Sequence, residues 1–322
     1  MFDSSNAGKI AVRNLPNDVM QALADLAGQH DRSTEAEARY AIRAWVAPQL
    51  TQYSRTSRMA VLGQRLNYLL NEISGLKSGA PVPPSRVAYS LGATHADAVE
   101  RWFAGEDEPS FAELAQISSV FGCSCDWLTH GEGQPFRSEY VRIPEDAMRG
   151  ADWLLQPLAN GGRAPELFLI RNTTDAGEFA FVKQYTEWHA TVYRTPYHVS
   201  EDIGAGGEAS LAWLTLVFEC LYKRYTKLGA SDVQVQSYLV EDKVFSALLE
   251  GKRHPLNVLR SPQAIKSCWW EDIWDENQFP KQNYWPGWSS VAERMFRVVE
   301  ARSTMKAQRE AIRGTVGVSN EC

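Results

Sequence analysis

Four side chains that could take part in acid–base chemistry lie close together in the sequence: Glu187, His189, His198 and Asp202. Carboxylates and imidazoles can transfer protons as pairs when they are held within hydrogen-bonding reach. The spacing of these four does not fix a shared geometry, so the favoured interpretation is that they occupy polar faces of strands. The sequence therefore predicts no catalytic residue and a protein that is not an enzyme.

The five cysteines are sparse and odd in number, which favours reduced thiols over a disulfide framework. Cys123 and Cys125 lie two residues apart, but no His or Cys stands beside them at the spacing of a zinc site. We therefore expect neither a metal nor another cofactor.

The composition is that of a soluble globular protein of two or three domains: 322 residues, 44% hydrophobic and 22% charged. The 33 basic and 39 acidic residues give a net charge of −6, which is unusual for a nucleic-acid-binding protein. The charge is uneven, because residues 1–55 are neutral overall whereas residues 56–135 carry five basic and nine acidic groups. No apolar run is long enough to span a membrane, so a cytoplasmic protein is expected.

Residues 9–16 alternate with the period of two that is typical of a half-buried strand, with Ile10 and Val12 on one face. Leu15 and Pro16 then begin a helix, because proline is tolerated in the first turn. The helix carries one apolar stripe at helical spacing and ends at Gly28. The stripe consists of Val19, Ala22, Leu23, Leu26 and Ala27.

A second helix follows this one and is predicted to end at Pro48. Ser33 and Thr34 are its N-cap candidates, and Thr34 with Glu37 has the spacing of a capping box. Its apolar stripe consists of Ala38, Ala41, Ile42 and Trp45.

One strand and two short helices cannot close a hydrophobic core in about 45 residues, and a single strand needs a partner. A second copy of the chain supplies both, if two strands pair antiparallel across a two-fold axis and four helices bury their stripes. The run VRNLP…RSTEAEAR, with its elements in this order, resembles the ribbon-helix-helix family in the form carried by plasmid-stability antitoxins, over residues 8–47.

That resemblance implies that a two-stranded ribbon enters the major groove of double-stranded DNA. Lys9, Ala11 and Arg13 would then face the base edges, where Arg13 reaches guanine and Ala11 a thymine methyl group. The amides of Ser33, Thr34 and Glu35 would hold a phosphate at the start of the second helix. The alternative is a plain dimerisation module with solvated charges.

Residues 58–135 are predicted to form short helices at about 58–75, 85–92 and 95–105 and another from Ser110. A tight glycine-containing turn between the second and third helices is typical of a helix-turn-helix. The pieces LGQRLNYLL, RVAYSLG, VERWFAG and FGCSCDWLTHGEG resemble the phage-repressor type of this fold.

The same resemblance implies a recognition helix at about 95–103. The predicted groove-facing residues are His95, Asp97, Ala98, Glu100 and Arg101, with Arg86 as a further contact. The segment departs from the family in its acidic recognition helix, its longer turn and its long preceding loop, and the acids repel phosphates. The alternative is a helix-turn-helix kept as a scaffold or a partner-binding surface.

Residues 163–314 are predicted to form an α+β domain, because strands and helices are mixed without strict alternation. The run from 178 to 199 is expected to be a hairpin split near Tyr185, and residues 208–228 and 289–313 are expected to be helical. The nucleophile turn G-D-S-M of the self-cleaving peptidases that often end phage repressors is missing, and no known family is recognised here.

Five of the eleven tryptophans lie between residues 269 and 288, interleaved with acids. They are interpreted either as an aromatic partner-binding patch or as buried rings that pin an irregular segment onto the domain. The second interpretation is favoured, and the acids argue against nucleic acid at this place.

The predicted fold is multidomain: a ribbon-helix-helix at 1–50, an all-α helix-turn-helix at 58–135 and an α+β domain at 163–314, with residues 51–57 joining the first two. The predicted function is a sequence-specific, double-stranded DNA-binding transcriptional regulator, a repressor that binds an inverted-repeat operator as a homodimer or larger oligomer. The third domain is expected to serve oligomerisation or to sense a protein or small-molecule effector. Two alternatives remain open: an antitoxin-like autoregulator whose C-terminal domain binds a partner protein, and an effector enzyme that the front half directs to DNA.

Overall fold

A computed structural model describes residues 11–76, 81–159, 161–223 and 234–314, with the backbone alone for residues 49–56. The chain divides into two compact units, residues 1–61 and 62–322. The segments predicted as a helical domain and as an α+β domain belong to the same unit.

The first unit consists of α1 (Asn17–Gln29) and the first part of α2 (Thr34–Ser74). Residues 11–16 carry no regular secondary structure, so the part of the predicted strand that the structure describes is not hydrogen-bonded as a strand in the single chain. The physical reason is that a lone strand has no neighbouring backbone to pair with.

Helix α2 continues through Pro48, so the prediction that this proline ends the second helix was wrong. The proposed linker at residues 51–57 is likewise helical. A proline inside a helix removes one backbone hydrogen bond and disfavours the helix by about 3 kcal/mol. No glycine and no second proline lie between Pro48 and Arg58, and the residues near Pro48, which are Ala44, Ala47, Gln49 and Leu50, include good helix formers that can offset this one defect.

The second unit begins with the end of α2 and a set of short helices, which are α3 (Pro84–Ser90), α4 (Asp97–Ala104), α5 (Phe111–Phe121) and α6 (Cys125–His130). We call residues 62–135 the helical segment. Ser110 closes a capping box with Glu113 at the start of α5, and left-handed glycines end α4, α5 and α6. The apolar side of α2, with Leu66, Leu69 and Ile73 fully buried, packs into one core with the other helices.

The rest of the unit is built on a mixed six-stranded sheet with the strand order β1-β4-β3-β2-β5-β6. The strands are β1 (Ser138–Tyr140), β2 (Glu166–Asn172), β3 (Glu178–Gln184), β4 (Ala190–His198), β5 (Val235–Val240) and β6 (Ala264–Ser267). Strands β1 and β4, and β2 and β5, pair parallel, and the other neighbours pair antiparallel. The hairpin predicted around Tyr185 is present, because β3 ends at Gln184 and β4 begins at Ala190.

Helices cover both faces of the sheet. They are α7 (Ala147–Leu154), α8 (Ala205–Leu221), α9 (Asp242–Glu250), α10 (Pro255–Val258), α11 (Trp269–Asp272), α12 (Trp288–Ala301) and α13 (Ser303–Gly314). One face packs against α9 and α10 and the other against the remaining helices. The single last helix predicted at 289–313 is two helices, because Arg302 has extended dihedral angles (φ −109°, ψ 110°) that end α12.

The tryptophan-rich stretch belongs to the core of this unit. Trp269, Trp270, Trp274, Trp285 and Trp288 are all buried. The Trp285 and Trp288 rings meet edge to face with centroids 4.7 Å apart. The interpretation of buried rings that pin an irregular segment is therefore confirmed.

Candidate nucleic-acid interface

The predicted ribbon residues lie at the start of the first unit. Ala11 and Arg13 are exposed, and Lys9 lies outside the described residues. Asn14 has a left-handed backbone (φ 60°), which turns the chain before α1 begins at Asn17. Arg13 is therefore on the surface, at the end of the segment that was predicted to form the ribbon.

The start of α2 is capped by Ser33, whose Oγ accepts a hydrogen bond from the amide of Ala36 at 3.2 Å. The capping box predicted between Thr34 and Glu37 is wrong, because the Glu37 carboxylate is buried and used elsewhere. It pairs with the Nδ1 atom of His30 at 2.9 Å and with Nη1 of Arg32 at 3.3 Å.

Arg32 is a cation that the sequence reasoning missed. Its guanidinium is held between the Glu37 carboxylate and the ring of Tyr40, with 4.6 Å from its carbon to the ring centre. It lies one residue before the cap of α2, at the positive end of the helix dipole, where anions are favoured. Its position directly before the N-cap Ser33 is the feature of the sequence that could have indicated a phosphate-binding role.

The apolar stripes of α1 and α2 are not buried within a single chain. In the part of the first unit whose side chains are described, only Ala27 and Glu37 are buried, and Trp45 is 80% exposed. The other large apolar side chains that remain exposed here are Val12, Leu15, Val19, Met20, Leu26, Tyr40, Ile42 and Val61. Exposed apolar area of this extent in so small a unit is typical of an interaction surface.

In the helical segment, the structure brings the predicted recognition residues to one exposed surface. His95, Asp97, Ala98, Glu100 and Arg101 are all exposed, whereas Val99, Trp102 and Phe103 point into the core. Only the first of the five precedes α4, and the other four lie on it. Their shared exposure is compatible with a groove-facing surface, and contact with DNA stays a prediction.

The described cations of the helical segment have partners within the protein. Arg65 donates to the carbonyls of Leu128 and Thr129 at the end of α6, and Arg101 pairs with Asp107 at 3.3 Å. Arg86, on α3, pairs with Glu187 of the β3–β4 turn at 3.6 Å. This surface therefore offers little positive charge for phosphates.

Three of the four acid–base candidates contact different groups rather than one another. Glu187 pairs with Arg86, and His198 contacts the carbonyl of Ala176 at 3.0 Å through Nδ1. The His189 ring packs edge-on against Tyr185 and beside Gly122, and burial lowers its pKa. No hydrogen bond between Asp202 and the other three is found in the described part of the chain.

A search of the described residues finds no group of three or more His, Cys, Asp and Glu side chains that could hold a metal ion. Among the same residues, no helix is long and apolar enough to cross a membrane.

Comparison with known proteins decides the nature of the first unit. Residues 9–46 match the family described as Antitoxin FitA-like, ribbon-helix-helix. The N-terminus is a ribbon-helix-helix domain. Ribbon-helix-helix antitoxin domains typically bind DNA and dimerise. The match ends within α2, before the helical segment. No curated protein and no solved structure matches the chain.

Proposed function

We propose that the protein is a sequence-specific regulator of transcription that represses from an inverted-repeat operator as a homodimer. The observation that supports this most is the ribbon-helix-helix match over residues 9–46. In this proposal the chain is a regulator rather than an enzyme.

The unburied stripes of α1 and α2 support the homodimer. Residues such as Ile42 and Trp45 lose contact with water only when a second chain packs on them, which favours association by about 25 cal/mol per Å² of apolar surface buried. The same association supplies the neighbouring strand that residues 9–13 need. Ile42→Asp should therefore yield monomers in sedimentation equilibrium, whereas Arg43→Asp, one residue away, should leave the dimer intact. A dimeric Ile42→Asp protein would contradict this interface.

The ribbon supports sequence reading. Paired across the dimer, Lys9, Ala11 and Arg13 face the major groove, and Arg13 donates two hydrogen bonds to one guanine. The start of α2, with Ser33, Thr34 and Arg32, fixes the register on the phosphate backbone. Two-fold symmetry of the protein then requires two-fold symmetry of the operator.

Arg13→Ala tests the ribbon. Once genome-wide footprinting has given the operator, the variant should lose about ten- to a hundredfold in specific affinity and relax one base position, because one bidentate contact discriminates by about 1–3 kcal/mol. Arg43→Ala removes the same charge from the exposed surface of α2 and should change affinity little. Unchanged operator binding by Arg13→Ala would contradict the assignment of base recognition to the ribbon.

We also propose that the helical segment acts as a helix-turn-helix that reads a second stretch of the operator. Its support is the exposed surface shared by His95, Asp97, Ala98, Glu100 and Arg101 on and before α4. Two modules in one chain raise each other's effective concentration, so each can be weak alone.

Substitution of an exposed alanine tests this second module. Ala98→Gln places a longer side chain where α4 would meet the base edges and should weaken operator binding at least tenfold. Ala115→Gln makes the same change on the exposed side of α5 and should have no effect. Equal affinities for the two variants would restrict DNA reading to the ribbon.

A second candidate function is an antitoxin-like autoregulator whose C-terminal part silences a partner protein, which the family of the N-terminal domain favours. Expression of the neighbouring reading frame should then arrest growth, and co-expression of this chain should relieve the arrest. If the gene has no such neighbour, or if expression of the neighbour does not arrest growth, only the repressor proposal remains.

A further inference from the structure

In the part of the first unit whose side chains are described, Glu37 is the one charged residue that is buried. Its Oε1 atom lies 2.9 Å from Nδ1 of His30, and its Oε2 atom accepts from Nη1 of Arg32 at 3.3 Å. The side chains of His30 and Arg32 are 45% and 41% exposed, against 5% for Glu37. The carboxylate is therefore on the inside of this cluster, and an anion in solution meets the imidazole and the guanidinium first.

Arg32 keeps hydrogen-bond donors for an anion while Glu37 holds it. A guanidinium carries five N–H groups, and the described contacts of Arg32 use one of them, in the bond to Glu37. Tyr40 contacts the face of the guanidinium through its ring, so this contact occupies no N–H group. The remaining N–H groups can therefore reach a phosphate without loss of the ion pair.

The other charged groups around His30 are acidic or already balanced. Asp31 follows His30 in the turn between α1 and α2 and is exposed. Glu35 pairs with Arg39 at 3.6 Å, one turn further along α2, so these two charges offset each other. Asp25 accepts a hydrogen bond within α1. Asp31 is therefore the further charge that counts beside the cluster.

The charge of this cluster depends on whether His30 carries a proton. With a neutral imidazole, the formal charges of Asp31, Arg32 and Glu37 leave one net negative charge, which repels a phosphate. A proton on His30 cancels that charge and gives the Glu37 carboxylate a second cation to pair with. Arg32 is then less fully neutralised. Histidine is the residue type whose charge changes near neutral pH.

We infer that His30 makes operator binding proton-dependent: a protonated His30 draws on the Glu37 carboxylate, and Arg32 then holds a backbone phosphate of the DNA more strongly. His30 is thus a positioning residue that acts through Arg32. The inference rests on the proposed function, in which the start of α2 lies on the phosphate backbone. Because a phosphate favours the protonated imidazole, DNA binding takes up protons, and operator affinity rises as the pH falls.

Operator titrations of the full chain at pH 8 and pH 6, at equal ionic strength, measure this effect. Exposed charge pairs are weak, but the dimer carries two clusters, so affinity should be about three- to twentyfold higher at pH 6. The slope of log affinity against log salt concentration should be steeper at pH 6 by roughly one to two, because each added cation releases about one counterion. Calorimetry near pH 7 in two buffers of different ionisation enthalpy should show proton uptake. A merely structural role for His30 would change none of these quantities.

Three substitutions assign the proton. His30→Gln keeps a donor for Glu37 but cannot gain a charge, so its affinity should be the same at both pH values. His30→Arg carries a permanent charge and should bind at pH 8 as tightly as the native protein binds at pH 6. His95→Gln removes another exposed histidine, before α4, and should keep the native pH dependence. Sedimentation equilibrium and circular dichroism at both pH values check that each variant is a folded dimer.

The possible results separate this inference from the proposed function. Equal native affinity at pH 8 and pH 6, or a native pH dependence in His30→Gln, overturns the role of His30. A dependence that disappears in His95→Gln instead places the proton in the helical segment and overturns it as well. A chain that binds no DNA at either pH value refutes the proposed function itself.

Discussion

The buried ring of His254 donates a hydrogen bond from Nε2 to the backbone carbonyl of Trp188 over 3.0 Å. Because a carbonyl only accepts, Nε2 carries the proton, and Nδ1 accepts from the amide of Leu256 at 3.3 Å. Trp188, at the tip of the β3–β4 turn, stacks on Phe121 of the helical segment with centroids 5.8 Å apart. The imidazole therefore joins α10 to the hairpin tip that packs into the helices.

Mild acid should destabilise this connection, because burial lowers the pKa of His254 from 6.5 to about 4. Between those two values the unfolded chain binds a proton that the folded chain does not, so stability falls as the pH falls from about 6.5 to 4. We expect a loss of about 2 kcal/mol from this group between pH 7 and 4.5, measured by urea unfolding. The loss should be absent in His254→Gln and retained in His198→Gln, whose ring is exposed. Identical pH dependence in both variants would contradict the role of His254.

Replacing Glu72 should lower the free energy of unfolding more than replacing an exposed carboxylate of the helical segment. Its Oε2 accepts from the amide of His254 at 2.8 Å and from Nδ2 of Asn257 at 3.1 Å, and its Oε1 pairs with Arg253. Glu72→Ala removes the acceptor of the His254 amide and the partner of Arg253, whereas Asn257 keeps its hydrogen bond to the backbone carbonyl of residue 72. The change should cost about 1–3 kcal/mol of unfolding free energy. Glu132→Ala should cost less than about 0.5 kcal/mol, as surface substitutions do.

Hydrogen exchange localises the effect of Glu72→Ala. The amides of residues 252–260 and of the last turn of α2 should exchange faster, while those of β2 and β3 keep their protection. Uniform loss of protection would mean that Glu72 supports the whole unit rather than this contact.

Gly251 lies at a close approach between α9 and the chain that leaves the helical segment. Its φ is +74°, and a Cβ there would lie 1.9 Å from the carbonyl oxygen of Phe136. Gly92 has nearly the same φ, +72°, with open space around it. Gly92→Ala should therefore lower the free energy of unfolding by about 1–2 kcal/mol, because alanine is strained in a left-handed backbone. Gly251→Ala should lower it by at least about 2 kcal/mol more, because of the added clash. Equal costs in thermal or urea unfolding would show that the backbone near Phe136 yields easily.

Local patterns predicted most elements of this fold. The alternation in residues 178–199 predicted the hairpin, and Gly92 and Gly105 predicted the ends of α3 and α4, because these features depend on near neighbours. The prediction that Pro48 ends the second helix was wrong, because the helix propensity of the surrounding residues can offset the destabilising effect of one proline. Ser33 was correct as a cap, but the alternative use of Glu37 depended on His30 and Arg32 folding back, which periodicity does not show.

Contacts between distant segments were beyond sequence reasoning. The residues at 252–260 meet the end of α2 about 180 residues earlier, and no motif marks Glu72, His254 or Arg260 as partners. In the candidate nucleic-acid interface, the exposure of Asp97, Ala98, Glu100 and Arg101 on α4 could be predicted from helical spacing. The ion pair between Arg86 and Glu187 could not, because it depends on where the β3–β4 turn lies. The stripes of α1 and α2 were predicted to be buried against a second copy, and the single chain leaves most of their side chains exposed, which is compatible with the proposed dimer.

Lys183 gives a prediction in the alkaline range. Its ammonium lies under α7, where it donates to the carbonyl of Trp153 at 2.7 Å and stands 4.2 Å from the centre of that ring. Burial lowers its pKa from 10.5 to about 8, so between these values the unfolded chain holds more protons than the folded one. Stability from this group therefore rises as the pH rises from about 8 to 10.5.

Between pH 7 and 9.5 the native protein should gain about 2 kcal/mol relative to Lys183→Met, which has no proton to lose. Lys266→Met removes an exposed lysine from the edge strand β6 and should follow the native pH dependence. Urea unfolding of the three proteins at the two pH values measures this difference. A Lys183→Met protein whose stability runs parallel to the native curve would show that Lys183 keeps its ordinary pKa, with water reaching the ammonium beside Trp153.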